Sequence, residues 1–257
     1  MATQLSDVTL DQLYNVGLHY GHKKQNSTPM ARDFIYAVRE NISLIDLSKT
    51  KERLAEAIEI IKKATADGQA VLFVGTKKQA RPLVAAMARS VEMPFVANRW
   101  LGGMLTNFKT IRKSLDHLEE LEKSMTKPEF TRLKKREQKR VTDEIAKLHR
   151  IFDGITSMTK LPDILFVIDT HHEAIAIQEA KRLGITTIGI VDTDGDPTSV
   201  DWAIPANDDA PRSLKFLLNY IGMAVADGKG VKYETPAELE VDFSQPLIIK
   251  KQAVQEG

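Results

Sequence analysis

Three stretches of this chain show almost no alternation between apolar and polar residues: Ala70-Val71-Leu72-Phe73-Val74-Gly75, Ile164-Leu165-Phe166-Val167-Ile168, and Thr186-Thr187-Ile188-Gly189-Ile190-Val191. A strand with one face in water alternates, whereas a continuous run needs cover on both faces, the condition of a strand inside a parallel sheet. Helical periods separate the runs. The spacing of Leu54, Ile58 and Ile61 predicts a helix over 48–66 that Asp67-Gly68 stops, and further helices are expected over 76–90, 171–183 and 208–226. Short apolar pieces at 94–97 and 202–204 add strands. The alternation predicts a three-layer α/β sandwich around a parallel sheet.

One segment breaks the alternation. Ile111, Leu115, Leu118, Leu121 and Met125 recur in steps of three or four, and so do Val141, Ile145, Leu148 and Phe152 beyond Thr126-Lys127-Pro128. Two helices with narrow apolar stripes predict an antiparallel helical, coiled-coil-like hairpin over 105–150, an arm about 30 Å long. The expected organisation is a globular domain over 1–104 and 151–228, the arm, and a flexible tail over 229–257. Lys134, Lys135 and Arg136 open a run with five bases against one acid, so this part of the arm is expected to meet RNA or an acidic protein.

Near the start, Thr9 and Gln12 form a capping box for a short helix ending at Gly17. Residues 17–40 then read as a basic, glycine-punctuated loop in which His22, Lys23, Lys24 and Arg32 can follow a phosphate backbone. His19 and His22 are spaced for a metal pair, although no third ligand is near in sequence. A second candidate for contact with nucleic acid is Asn98-Arg99-Trp100-Leu101-Gly102-Gly103-Met104-Leu105-Thr106-Asn107. Arg99 can fork onto phosphate, and Trp100 can either stack on a base or plug the core. Asn107, Lys109, Arg112 and Lys113 extend that segment.

Composition matters for where the charge lies. The formal net charge is +1, yet 76–113 holds eight bases against Glu92 alone, while 160–257 holds nine bases against sixteen acids. Such sorting suits a protein that lays one side on a polyanion. Without cysteine, a disulfide framework and thiolate metal sites are excluded. No apolar run approaches the roughly 18 residues of a membrane span, and the opening residues do not read as a signal peptide, so a cytoplasmic location is expected.

An open parallel sheet carries its active site at the carboxyl ends of its strands. Here these read Gly75-Thr76-Lys77-Lys78, Asp169-Thr170-His171-His172-Glu173 and Asp192-Thr193-Asp194-Gly195-Asp196-Pro197. The first has neither glycine-rich phosphate pattern. Thr170 to Glu173 reads as a capping box. Asp192, Asp194 and Asp196 could hold a divalent cation or form a plain turn. The enzymatic alternative would place its site at Asp169, His171 and Asp192, in a hydrolase or nucleotide enzyme.

Four segments together resemble the bacterial small-subunit ribosomal protein S-two family. They are Gly17-Leu18-His19-Tyr20-Gly21-His22, the Asn98–Asn107 segment, Pro162–Asp169 with Glu173, Glu179 and Gly184-Ile185, and Gly189–Pro197 running on to Ile204–Ala210. The resemblance covers about residues 8–231. It implies a flavodoxin-like α/β domain with a protruding helical hairpin and a non-enzymatic, ribosome-bound component of the translation machinery. It also implies binding to small-subunit ribosomal RNA and support for docking of ribosomal protein S-one and neighbouring proteins. In such proteins a structural zinc is associated with the region between hairpin and globular domain, and His19 and His22 are the residues here to match it.

Overall fold

In the computed structural model, residues 8–241 are described. A first helix, α1 (Leu10–Asn15), starts at the expected capping box, with Gln12 N donating to Thr9 Oγ1 and Thr9 N to Gln12 Oε1. Residues 17–40, expected to be a loop, instead supply two strands of a small antiparallel sheet, order β1-β3-β2: β1 (Tyr20–Lys23) and β2 (Ile35–Arg39) pair with β3 (Ile42–Ile45), which lies in the run 41–47 that reads from the sequence as a short strand. What conceals it in the sequence is irregularity. Both pairings carry a register shift, and two 3-10 turns, Lys24–Asn26 and Pro29–Phe34, fill the connection between β1 and β2. Helix α2 (Leu47–Ala66) follows, capped by the Asp46 carboxylate accepting from Ser48 N.

The body begins with β4 (Val71–Val74), α3 (Arg81–Ser90) and β5 (Phe95–Val96). Then come α4 (Phe108–Met125), α5 (Pro128–Arg132) and α6 (Lys135–Phe152). The chain resumes the body with β6 (Ile164–Ile168), α7 (Ala174–Arg182), β7 (Thr186–Val191), β8 (Trp202–Pro205) and α8 (Pro211–Lys229). Five strands pair in the order β5-β4-β6-β7-β8, all parallel. Numbered within the sheet this is the 2-1-3-4-5 order of flavodoxin-like folds, with its topological switch between the first and third strands. Alternate residues serve opposite layers, as the pleat requires. Val71 and Phe73 join the core with α1, α2, α3 and α8, whereas Leu72 and Val74 join a second core with α7 and the roots of α4 and α6. No helix among the described residues is long and apolar enough to cross a membrane.

Helices α4 and α6, 18 residues each, run antiparallel and span roughly 27 Å. Leu115, Leu118 and Ile145 are buried along their seam, and two cross-helix pairs, His117–Glu144 and Glu122–His149, sit beside it. Three expected helix boundaries move, each because polar groups hold the loop before the helix. Residues 76–80 stay outside α3 since Thr76 is tied to Glu173 and Arg81 Nε donates to the Thr76 carbonyl. Helix α7 starts at Ala174, without the capping box expected of Thr170 and Glu173, because the Glu173 carboxylate turns to Thr76. Helix α8 starts at Pro211, after the Asn207 side chain has accepted from Asp209 N and Ala210 N. It also runs on to Lys229. Beyond it, Tyr233, Leu239 and Val241 pack onto the core, so the first part of the expected tail is held in place; 242–257 lie outside the described residues.

Candidate functional site

The carboxyl ends of the parallel strands form one site. At the switch between β4 and β6, Thr76 N and Thr76 Oγ1 both donate to Glu173 Oε1 at 2.7 Å. Lys77 extends across the same crevice, with Nζ 3.1 Å from Asp169, 2.7 Å from Asp208, and in contact with Asp209. Burial works against the Lys77 charge, but Asp208, Asp209 and Asp169 outweigh it and raise the ammonium above its ordinary range. Burial also raises the carboxyls of Glu173 and Asp208. A crevice in which this fold type would seat a ligand is therefore filled by the chain's own lysine. His171, part of the enzymatic alternative, stands exposed and does not join Asp169 or Asp192.

The small antiparallel sheet is laid against this end of the body. Gly21 permits it: a Cβ there would lie 2.5 Å from Thr193 Cγ2 and 2.9 Å from the Ser43 carbonyl oxygen. His22 N donates to Thr193 Oγ1, and Thr28 N donates to the Thr193 carbonyl, both at 2.8 Å. The His22 ring then reaches three carboxylates: Nδ1 lies 3.2 Å from Asp192 and 3.5 Å from Asp194, and Nε2 lies 3.2 Å from Asp209. Asp192 and Asp209 push His22 up to about 11, against the effect of burial. His22 is thus engaged with acids rather than presented to a polyanion as expected.

The expected His19–His22 metal pair does not form. His19 lies in the turn before β1 and His22 within β1, and their rings lie in different surroundings. His19 is buried, stacked on Tyr14 at 4.4 Å and against Tyr20 at 4.0 Å between ring centroids. A different set converges: the ligand atoms of His22, Asp192 and Asp194 all lie within 4.8 Å of one another. His22 Nδ1, although 3.2 Å from Asp192, is not aligned with it for a hydrogen bond, and Asp194 Oδ1 and Asp208 Oδ2 are buried without one. One imidazole nitrogen with carboxylate oxygens is a donor set that zinc accepts, so the residues present fit the metal implied by the resemblance. Asp196 is not among them, since its carboxylate caps the turn at Thr198.

The second site is the segment 98–113. Its centre is Glu179, a carboxylate on the otherwise apolar face of α7, where Ala176, Ile177 and Ala180 are buried. Glu179 accepts from Trp100 Nε1 at 3.1 Å, Gly103 N at 2.7 Å, and Leu105 N, Thr106 N and Thr106 Oγ1 at 3.0 Å each. Burial raises Glu179, but the donors from Thr106, Trp100, Gly103 and Leu105 win and hold it below the usual carboxylate range. Gly103, at φ +88°, supplies the turn that aims those amides. Of the two readings of Trp100, the plug fits: its indole is half-buried against the second core and hydrogen-bonded beneath the loop.

The cations of this segment divide. Arg112 is engaged, with Asp116 at 2.7 Å and the Met158 carbonyl at 3.0 Å, and Asn107 accepts from Thr110 Oγ1 at the start of α4. Arg99, Lys109 and Lys113 are exposed and have no ion-pair partner among the described residues, and the same holds for Lys23, Lys24 and Arg32. Lys134, Lys135 and Arg136 stand exposed at the far end of the arm.

Residues 13–228 match the family described as Ribosomal protein S2. The chain belongs to the ribosomal protein S2 family. Relatives named small ribosomal subunit protein uS2 align along most of it. That of Parabacteroides distasonis is 44% identical over 224 residues, covering 87% of this chain and 81% of the relative. That of Coprothermobacter proteolyticus is 44% identical over 222 residues (86% and 83%), and that of Bacteroides thetaiotaomicron 44% over 242 residues (94% and 87%). Proteins of this family are structural constituents of the small ribosomal subunit and not enzymes, and the S2 member described here shares that role. The four segments that carry the resemblance are those that build the two sites. Sequence reasoning missed Lys77, Asp208 and Asp209 as partners of His22's cluster, and Glu179 as the anchor of 98–106. An acid on the apolar face of α7 was the legible signal for Glu179.

Proposed function

We propose that the protein binds small-subunit ribosomal RNA through Arg99, Lys109 and Lys113, joined by Lys23, Lys24 and Arg32, and that it supports docking of ribosomal protein S-one. The observation that carries this reading is that these six cations, in the two basic segments 17–40 and 98–113, are exposed and have no ion-pair partner among the described residues. Unpaired lysines and arginines neutralise phosphates and release counterions, which gives affinity without base readout. Trp100, Asn107 and Arg112 act beneath that surface by holding the loop and the start of α4. The divided organisation follows: a globular body, an arm over 105–150, and Lys134, Lys135 and Arg136 on the arm available to an acidic neighbour or to RNA. In this reading zinc on His22, Asp192 and Asp194 pins the small sheet to the body, and the working location is the ribosome in the cytoplasm.

The double variant Arg99→Ala, Lys109→Ala tests the RNA assignment. Both side chains are exposed, so stability should stay within about 0.5 kcal/mol of the parent. Incorporation into reconstituted small subunits should weaken, and the salt dependence of RNA binding should flatten by roughly one to two units of slope. Parent-like incorporation at every salt concentration would remove 98–113 from the RNA surface.

A further inference from the structure

A cavity of about 280 Å³ opens where the arm joins the body, against the outer edge strand β5. Phe95 and Val96 form its floor, Arg81 and Arg89 of α3 stand on one side, and Arg150 and Asp153 at the end of α6 stand on the other. Three guanidinium groups thus surround one cleft against a single carboxylate. Arg89 pairs with Asp153, its guanidinium carbon 5.2 Å from the centre of the Phe95 ring. Arg81 is steered by one bond only, Nε to the Thr76 carbonyl at 2.6 Å, and its terminal nitrogens have no partner among the described residues. The Arg150 side chain has no partner there either, while its backbone carbonyl accepts from Asn98 Nδ2 at 2.7 Å.

We infer that this cleft at the root of the arm takes one phosphodiester and its ribose from the RNA backbone, with Arg81 and Arg150 as the phosphate donors. The inference rests on the RNA-binding reading and extends it to residues outside 17–40 and 98–113. The cleft has the size of a sugar-phosphate unit rather than of a folded peptide surface. Guanidinium forks approaching from two walls suit the tetrahedral array of phosphate oxygens, whereas a carboxylate offers two oxygens in one plane. The position fits as well. Asn98 lines the cleft, is bonded to the Arg150 carbonyl and directly precedes Arg99, so an RNA backbone lying on Arg99 is one residue from the cleft. Asp153 holds Arg89 back, which leaves two free forks for the one phosphate.

The test uses the full-length protein and a small-subunit ribosomal RNA transcript, with affinity measured between 50 and 300 mM salt. The variant Arg81→Gln, Arg150→Gln should lower the slope of log K against log salt by roughly 0.7 to 0.9, as loss of one neutralised phosphate requires, and weaken binding by about fivefold or more near 100 mM salt. Asp153→Asn, which frees Arg89, should tighten binding. A double variant with the parent slope, when Arg99→Ala with Lys109→Ala lowers it, overturns the cleft and leaves the RNA reading intact. Failure of the parent protein itself to bind the transcript sinks both. If the double variant keeps RNA affinity but loses binding to polyglutamate, the cleft serves an acidic protein and the inference is wrong. Urea midpoints of all variants check that folding is unaltered.

Discussion

Two regions of this molecule are crowded with charge, and they use it in opposite ways. At the carboxyl ends of the sheet, His22 and Lys77 face Asp169, Asp192, Asp194, Asp208 and Asp209, so nearly every charge there has an opposite within the same protein. Along 98–113 one buried carboxylate, Glu179, organises the backbone, and the outward cations Arg99, Lys109 and Lys113 have no ion-pair partner among the described residues. The difference teaches that a charged sequence does not by itself mark a binding surface. Pairing separates them: the first region ties the small sheet to the body, and the second leaves its outward cations without an internal partner among the described residues.

The strongest way to break this contrast is Lys77→Met. Buried Asp208 and its neighbours would lose their shared counter-ion, and removing one partner of a buried pair costs about 3–5 kcal/mol. Urea denaturation should show a loss of at least 3 kcal/mol; an unchanged midpoint would mean the cluster needs no lysine. Zinc gives the next effect. Adding zinc to chelator-treated protein at roughly a hundred times its dissociation constant should raise unfolding free energy by about 2.7 kcal/mol, and His22→Ala should abolish the gain. A gain that survives in His22→Ala would place the metal elsewhere.

The smallest effect sharpens the other side of the comparison. Glu179→Gln keeps the shape but weakens charge-assisted bonds to Trp100, Gly103, Leu105 and Thr106, for a loss of about 2 kcal/mol at neutral pH. Because the folded Glu179 is held below the value of the unfolded chain, its contribution is complete above that unfolded value and disappears as pH falls through the folded one. Between neutral pH and pH 3 the parent should therefore lose stability more steeply than the variant. Parallel curves would show that the carboxylate's charge is irrelevant to the loop.

Most of the fold could be read in advance, and the misses have physical causes. Unbroken apolar runs at 71–74, 164–168 and 186–191 became the central strands because only a doubly covered strand tolerates such composition. The steps of three and four from Ile111 to Met125 and from Val141 to Phe152 became α4 and α6 for an equally local reason. By contrast, of the antiparallel sheet at 20–45 only the run at 41–47 is legible as strand, since its two partners are four or five residues long, shifted in register and separated by 3-10 turns. The turn at 76–80 was read as helix because the donors' partner, Glu173, lies 97 residues away.

The candidate site divides along the same line. That Arg99 and Lys109 are exposed donors on a glycine-hinged segment follows from local composition. That Trp100 is a plug, that Arg112 is already engaged, and that His22 belongs with Asp192 and Asp194 instead of His19 depends on contacts between distant parts of the chain. Periodicity and composition act over a few residues, so the sequence by itself determined which segments become strands, helices and arm, and where positive charge concentrates. Whether a given charge is satisfied within the protein or left for a partner depends on which loops fold against one another, and only the tertiary structure decided that.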